Sequence, residues 1–154
     1  MSKYLLFLSF VFVAGCSTMG IHSKQTSLVN YIDQNITEKD IQFIANDLVS
    51  YLKDPLPPAS TTFIIKLNNT QDQFTPLLIS ILQQNGYGVI YNDQLEKSKN
   101  TGMTLSYKVM SMDDGIILVA RYGLTEVTRY YVRSLAGDIV SSSAFLTRVN
   151  DGEK

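Results

Sequence analysis

From Met103 onward the chain follows a period of two, and this constrains its fold more than any other feature. Met103, Leu105, Tyr107 and Val109 alternate with Thr104, Ser106 and Lys108, so successive side chains go to opposite faces of an extended strand. Asp113-Asp114-Gly115 then supplies a hairpin signal. Ile116 to Tyr122 returns as a strand, Gly123-Leu124 turns into Thr125 to Arg133, and Ala136-Gly137-Asp138 turns into Ile139 to Leu146. Strands joined by turns this short must be antiparallel neighbours, so the C-terminal half predicts a β-meander with one apolar face.

The preceding segments carry the 3.6-residue period instead. Thr37 with Asp40 resembles a capping box, and Ile41, Ile44, Leu48 and Leu52 recur at helical spacing, which predicts a helix near 38 to 53. Pro55, Pro57 and Pro58 end it, because proline lacks the donor that the helix ladder needs. In Thr61 to Leu67 the β-branched residues favour extended backbone, with Phe63, Ile65 and Leu67 on one face. Asn68-Asn69 marks the exit, and Thr70 with Gln73 offers a second capping box. Phe74, Leu77, Leu78, Ile81 and Leu82 follow the i, i+3, i+4, i+7, i+8 stripe of a helix lying on a sheet, and Asn85-Gly86 stops it before a strand over Tyr87 to Tyr91. This is a β-α-β unit. Leu28 to Gln34 reads equally as a strand or as a first helical turn. The economical solution is an α+β domain with two helices on one face of a mainly antiparallel sheet, because the helices and the sheet each have one apolar face to bury.

The N-terminus is an address rather than part of that domain. Lys3 precedes the uncharged run Tyr4 to Val13, which is too short to cross a bilayer as a helix, and Val13-Ala14-Gly15-Cys16 closes it with the chain's only cysteine. This is the pattern of a bacterial lipoprotein signal: residues 1–15 are removed, and Cys16, acylated with palmitate-like chains, becomes the first mature residue. The alternatives are an uncleaved hydrophobic N-terminus or an ordinary secretory signal with a chance cysteine. Ser17 and Thr18, and no aspartate, follow Cys16, so the likeness to lipoprotein signals implies a place in the outer membrane facing the periplasm. Residues 16–36 are expected to form the lipid anchor and a flexible tether, since Ser17 to Ser27 is small, polar and without period. Residues 37–154 are left for one periplasmic domain. With Cys16 acylated no thiol remains for a disulfide, so packing must stabilise it.

Chemistry is sparse. A formal charge of −1 offers no basic field, so no direct nucleic-acid binding is expected. The only histidine, His22, falls in the tether, leaving no imidazole for a catalytic triad or a histidine-ligated metal in the domain, and no cofactor is expected. Asp113 and Asp114 admit a bound cation or a plain turn. Gly86-Tyr87-Gly88 follows a helix and enters a strand, the reverse of the order that cradles phosphate. Arg121 lies opposite Glu126 if the turn centres on Gly123-Leu124, an ion pair that needs no function to explain it. Arg129, Tyr130 and Tyr131, with Tyr122 nearby, are the candidate partner-binding residues, because exposed tyrosine and arginine are favoured at interfaces. A half-buried sheet face explains them equally well.

Several segments together carry a resemblance: Pro57-Pro58-Ala59-Ser60-Thr61-Thr62-Phe63, the helix ending in Gly86-Tyr87-Gly88-Val89, the strand Leu105-Ser106-Tyr107, and Val127-Thr128-Arg129-Tyr130-Tyr131. In this order, and behind the lipoprotein signal, they resemble the TrbH-type lipoproteins of conjugal transfer systems. The likeness covers most of the mature chain and departs at Phe145, where tryptophan is expected. More distantly the chain is similar to DotD-type lipoproteins, whose periplasmic domain is similar to the N-terminal domains of secretins. The resemblance implies a structural subunit of a conjugation or type IV secretion channel that binds other channel subunits. Alternatives are a lipoprotein of another envelope machine, such as a secretin pilot or pilus component, and a periplasmic enzyme or ligand-binding protein, for which the sequence supplies no catalytic constellation.

Overall fold

The computed structural model describes residues 29–67, 72–91 and 101–150. Two helices, α1 (Glu38–Leu52) and α2 (Phe74–Gln84), lie on an eight-stranded sheet. The strands are β1 (Tyr31–Ile32), β2 (Thr62–Ile65), β3 (Gly88–Tyr91), β4 (Met103–Met112), β5 (Gly115–Tyr122), β6 (Thr125–Arg133), β7 (Ile139–Ser141) and β8 (Leu146–Val149). The order is β3-β2-β4-β5-β6-β7, with β1 also beside β4 and β8 also beside β6. Pairings among β1 to β4 are parallel, and every pairing from β4 to β8 is antiparallel. The β-α-β unit and the meander therefore join at β4, which is long enough to serve both.

Helix α1 begins as its sequence dictates. Thr37 is extended and its hydroxyl accepts from the Asp40 amide at 3.2 Å, satisfying one of the amides that a helix leaves open at its start. Ile41, Ile44, Leu48 and Leu52 form the buried stripe. In α2 the cap differs from the expected Thr70–Gln73 box. Gln73 makes no side-chain cap, Thr70 lies outside the described residues, and Asp72 Oδ1 accepts from the amides of Phe74 and Thr75 at 2.8 and 3.3 Å. Gly86 ends the helix at φ +87, a left-handed conformation that glycine adopts without strain.

Both helices pack on the same sheet face. There Leu78 and Leu82 of α2 and Ile44 and Leu48 of α1 meet Leu105, Tyr107 and Leu118, all fully buried.

Two expectations need correction. Residues 29–36 do not belong to a tether. Asn30 and Ile36 are buried, β1 pairs in parallel with β4, and the Asp33 amide donates to the Val109 carbonyl at 2.9 Å. Asn30 secures this entry, because its side chain donates to the Lys66 carbonyl at 2.8 Å and accepts from the Tyr107 amide at 3.0 Å. The stretch 139 to 146 is not one strand: β7 and β8 are separate short strands, both paired to β6, on either side of a break at 142–145.

Candidate interaction surface

The three candidate partner-binding residues do not form one surface. Strand alternation sends Arg129 and Tyr131 to the helix-covered face and Tyr130 to the other. Tyr131 is fully buried, and its hydroxyl donates to Asp47 Oδ2 of α1 at 2.7 Å. Arg129 reaches the same carboxylate at 3.0 Å and lays its guanidinium over the Phe145 ring, 4.6 Å from its centroid. Phe145 in turn stacks on Tyr51 of α1 at 4.3 Å. Arg129 and Tyr131 thus clamp α1 to β6, and the expectation that they face a partner is corrected. Tyr130 donates to the Met112 carbonyl at 3.2 Å and closes the β4–β5 hairpin. Arg121 and Glu126 form the expected cross-strand pair at 2.5 Å, half-covered on the face opposite the helices.

The same device recurs elsewhere. Tyr107, fully buried on β4, donates to Asp72 Oδ2 at 2.6 Å, and the Thr75 hydroxyl bonds both groups. Arg133 of β6 meets Asp40 of α1 at 2.8 Å. Burial pushes the phenols of Tyr107 and Tyr131 up, and the neighbouring carboxylates of Asp72 and Asp47 push them further. For Asp40 burial pulls upward, but the hydrogen bonds and charge of Arg133, together with Thr37, hold its carboxyl below the usual value. These polar groups tie helices to sheet.

Asp113, at φ 50, and Asp114 form the tight turn between β4 and β5, and among the described residues no group of three or more histidine, cysteine or acidic side chains could hold a metal. Cys16 and His22 lie outside the described residues.

Two kinds of surface are left for contact. The sheet face opposite the helices carries the half-buried Met110, Ile117, Val119 and Val132, and among the described residues no helix covers it. Between α1 and β7 runs a groove of about 570 Å³, lined by Lys39, Gln42, Phe43, Asn46, Ile139 and Val140 with Asp40 and Asp138. Phe43 is exposed there, whereas Val140, paired with Val132, turns its exposed side chain to the uncovered sheet face. The sequence signal for this groove is Phe43 itself, an aromatic that lies off the buried stripe made by Ile41, Ile44 and Leu48.

A family model described as conjugal transfer protein TrbH matches residues 22–150. No curated protein and no solved structure matches the chain.

Proposed function

The chain belongs to the TrbH family of conjugal transfer proteins, and from that premise we propose that it is a non-enzymatic structural subunit of the conjugation channel, anchored by lipid on Cys16 to the outer membrane and facing the periplasm. The family match carries this reading, since it spans every described element of the fold. Two further features support it. The run ending in Val13-Ala14-Gly15-Cys16 has the form of a lipoprotein signal. Within the domain, Asp40, Asp47 and Asp72 each bind a side chain of the sheet, so they serve cohesion and leave contact with other subunits to the groove and to the uncovered sheet face. On this reading nucleic acid is not a direct partner, and no cofactor is required.

Deleting the gene from a donor strain is the direct test. DNA transfer to recipients should fall by orders of magnitude and return when the gene is restored on a plasmid. Undiminished transfer by the deletion strain would remove the conjugation reading. A soluble small-molecule conversion by the purified domain would remove the non-enzymatic one.

A further inference from the structure

We propose that the groove between α1 and the outer edge of β7 receives an extended, uncharged, apolar segment of another transfer subunit, which adds to the sheet as a strand beside β7. The proposal rests on the channel-subunit reading above and names the surface that this reading requires.

The direction of the β7 main chain carries it. The Ser142 amide donates to the Tyr130 carbonyl at 3.0 Å, and the Ser134 amide donates to the Asp138 carbonyl at 2.7 Å. With Val132 opposite Val140, the alternation of an antiparallel ladder places the N–H and C=O groups of Asp138, Val140 and Ser142 toward β6. Those of Ile139 and Ser141 therefore point away from the sheet, and among the described residues no strand pairs with them. Extended polypeptide presents the complementary row of donors and acceptors, which is the basis of recognition by strand addition.

The flanking side chains say what kind of segment fits. A strand laid beside β7 would run along α1, with alternate side chains directed at Phe43 and Ile139. The charges at the groove are already matched in pairs, Lys39 with Asp138 across its mouth and Asp40 with Arg133 beneath it, so a charged occupant gains no counter-ion there. Gln42 and Asn46 supply neutral polar groups on the helix side. Exposed strand edges are usually guarded by lysine, proline or a bulge. Ile139-Val140-Ser141 has none of these.

Proline separates backbone recognition from every other role of this edge. Ser141→Pro removes an N–H that bonds nothing among the described residues, and proline is tolerated on edge strands. Ser141→Ala keeps that N–H. The full-length chain would be expressed in a conjugating donor strain with benzoylphenylalanine in place of Asn46, irradiated, and its adducts identified by mass spectrometry. The expected result is an adduct with another transfer subunit, reduced about tenfold or more by Ser141→Pro and retained by Ser141→Ala. Should Ser141→Pro lower the melting temperature, Phe43→Lys, which alters the groove floor and leaves the edge intact, must reduce the adduct equally. Undiminished adduct in folded variants, or an adduct with a second copy of this chain, overturns the proposal. A second probe replaces Lys108, on the opposite sheet face. Transfer subunits captured there and not at Asn46 overturn the groove alone, whereas none at either position counts against the channel-subunit reading as well.

Discussion

Tyr107 and Tyr131 meet the same physical problem in the same way: each phenol rises from the buried sheet face and donates to a carboxylate, Asp72 ahead of α2 or Asp47 within α1. Tyr122, buried on β5 between them, is also held neutral but beside another phenol instead of a carboxylate, raised by burial first and then by its neighbour Tyr51. All three hold their protons above the ordinary value of 10.0 while folded, and the unfolded chain gives them up near that value. The folded state therefore binds more protons than the unfolded state once the pH passes about 10, and stability must fall as pH rises through that window. Below it the contribution is complete. The loss per group is at most about 1.4 kcal/mol for each pH unit. Urea unfolding from pH 8 to 11 should show a plateau and then a decline, with part of the phenolate absorbance of the nine tyrosines appearing only with loss of structure. A stability that stays level to pH 11 would mean that these phenols are not held neutral by the fold.

At the scale of elements, Gly115 shows where a motif and a geometry part company. Asp113-Asp114-Gly115 marks the hairpin correctly, but the turn itself is Asp113-Asp114, and Gly115 is already in β5 opposite Met112 and Val132. Its lack of a side chain serves another purpose, since a Cβ there would run into the Tyr131 carbonyl oxygen and the Tyr130 phenol. Gly115→Ala should therefore cost about 1–3 kcal/mol or more, through main chain that cannot give way. Leu78→Ala, which empties a fully buried site on α2, should cost about 2–5 kcal/mol. Equilibrium urea unfolding measures both, and a loss under about 1 kcal/mol in either would contradict the packing described. The helices and the meander were legible because their periods are long enough to be unambiguous. β1 was not, since two residues carry no period and its place depends on the Asn30 side chain bonding Lys66 and Tyr107. Nor was the clamp. Alternation says that Arg129 and Tyr131 share a face, but only the packing of α1 shows that Asp47 lies above it.

For the whole molecule, the two proposals above give the domain two attachments that set where it can work: lipid on Cys16 and a partner strand at β7. The segment from Ser17 to Leu28 precedes the described fold, and the path from Cys16 to Asn30 at full extension would reach at most about 50 Å, which on the lipoprotein reading bounds the distance between the membrane and Asn30. The acyl chains matter because each buried methylene contributes about 0.8 kcal/mol, so two or three chains on one residue hold a protein at a bilayer without any transmembrane helix. On the lipoprotein reading, a domain without them would be diluted through the periplasm, and an attachment that depended on being held near its partners would weaken by the lost effective concentration. Cys16→Ser should therefore abolish incorporation of labelled fatty acid, leave the protein unprocessed or absent from the outer-membrane fraction, and lower DNA transfer. The urea unfolding curve of a soluble fragment starting at residue 29 is the control, because that fragment contains every described element and its stability owes nothing to Cys16. Fatty-acid label retained by the serine variant would mean that the acyl chain sits elsewhere. Full DNA transfer by an unlabelled, released variant would mean that the channel does not need this subunit at the membrane.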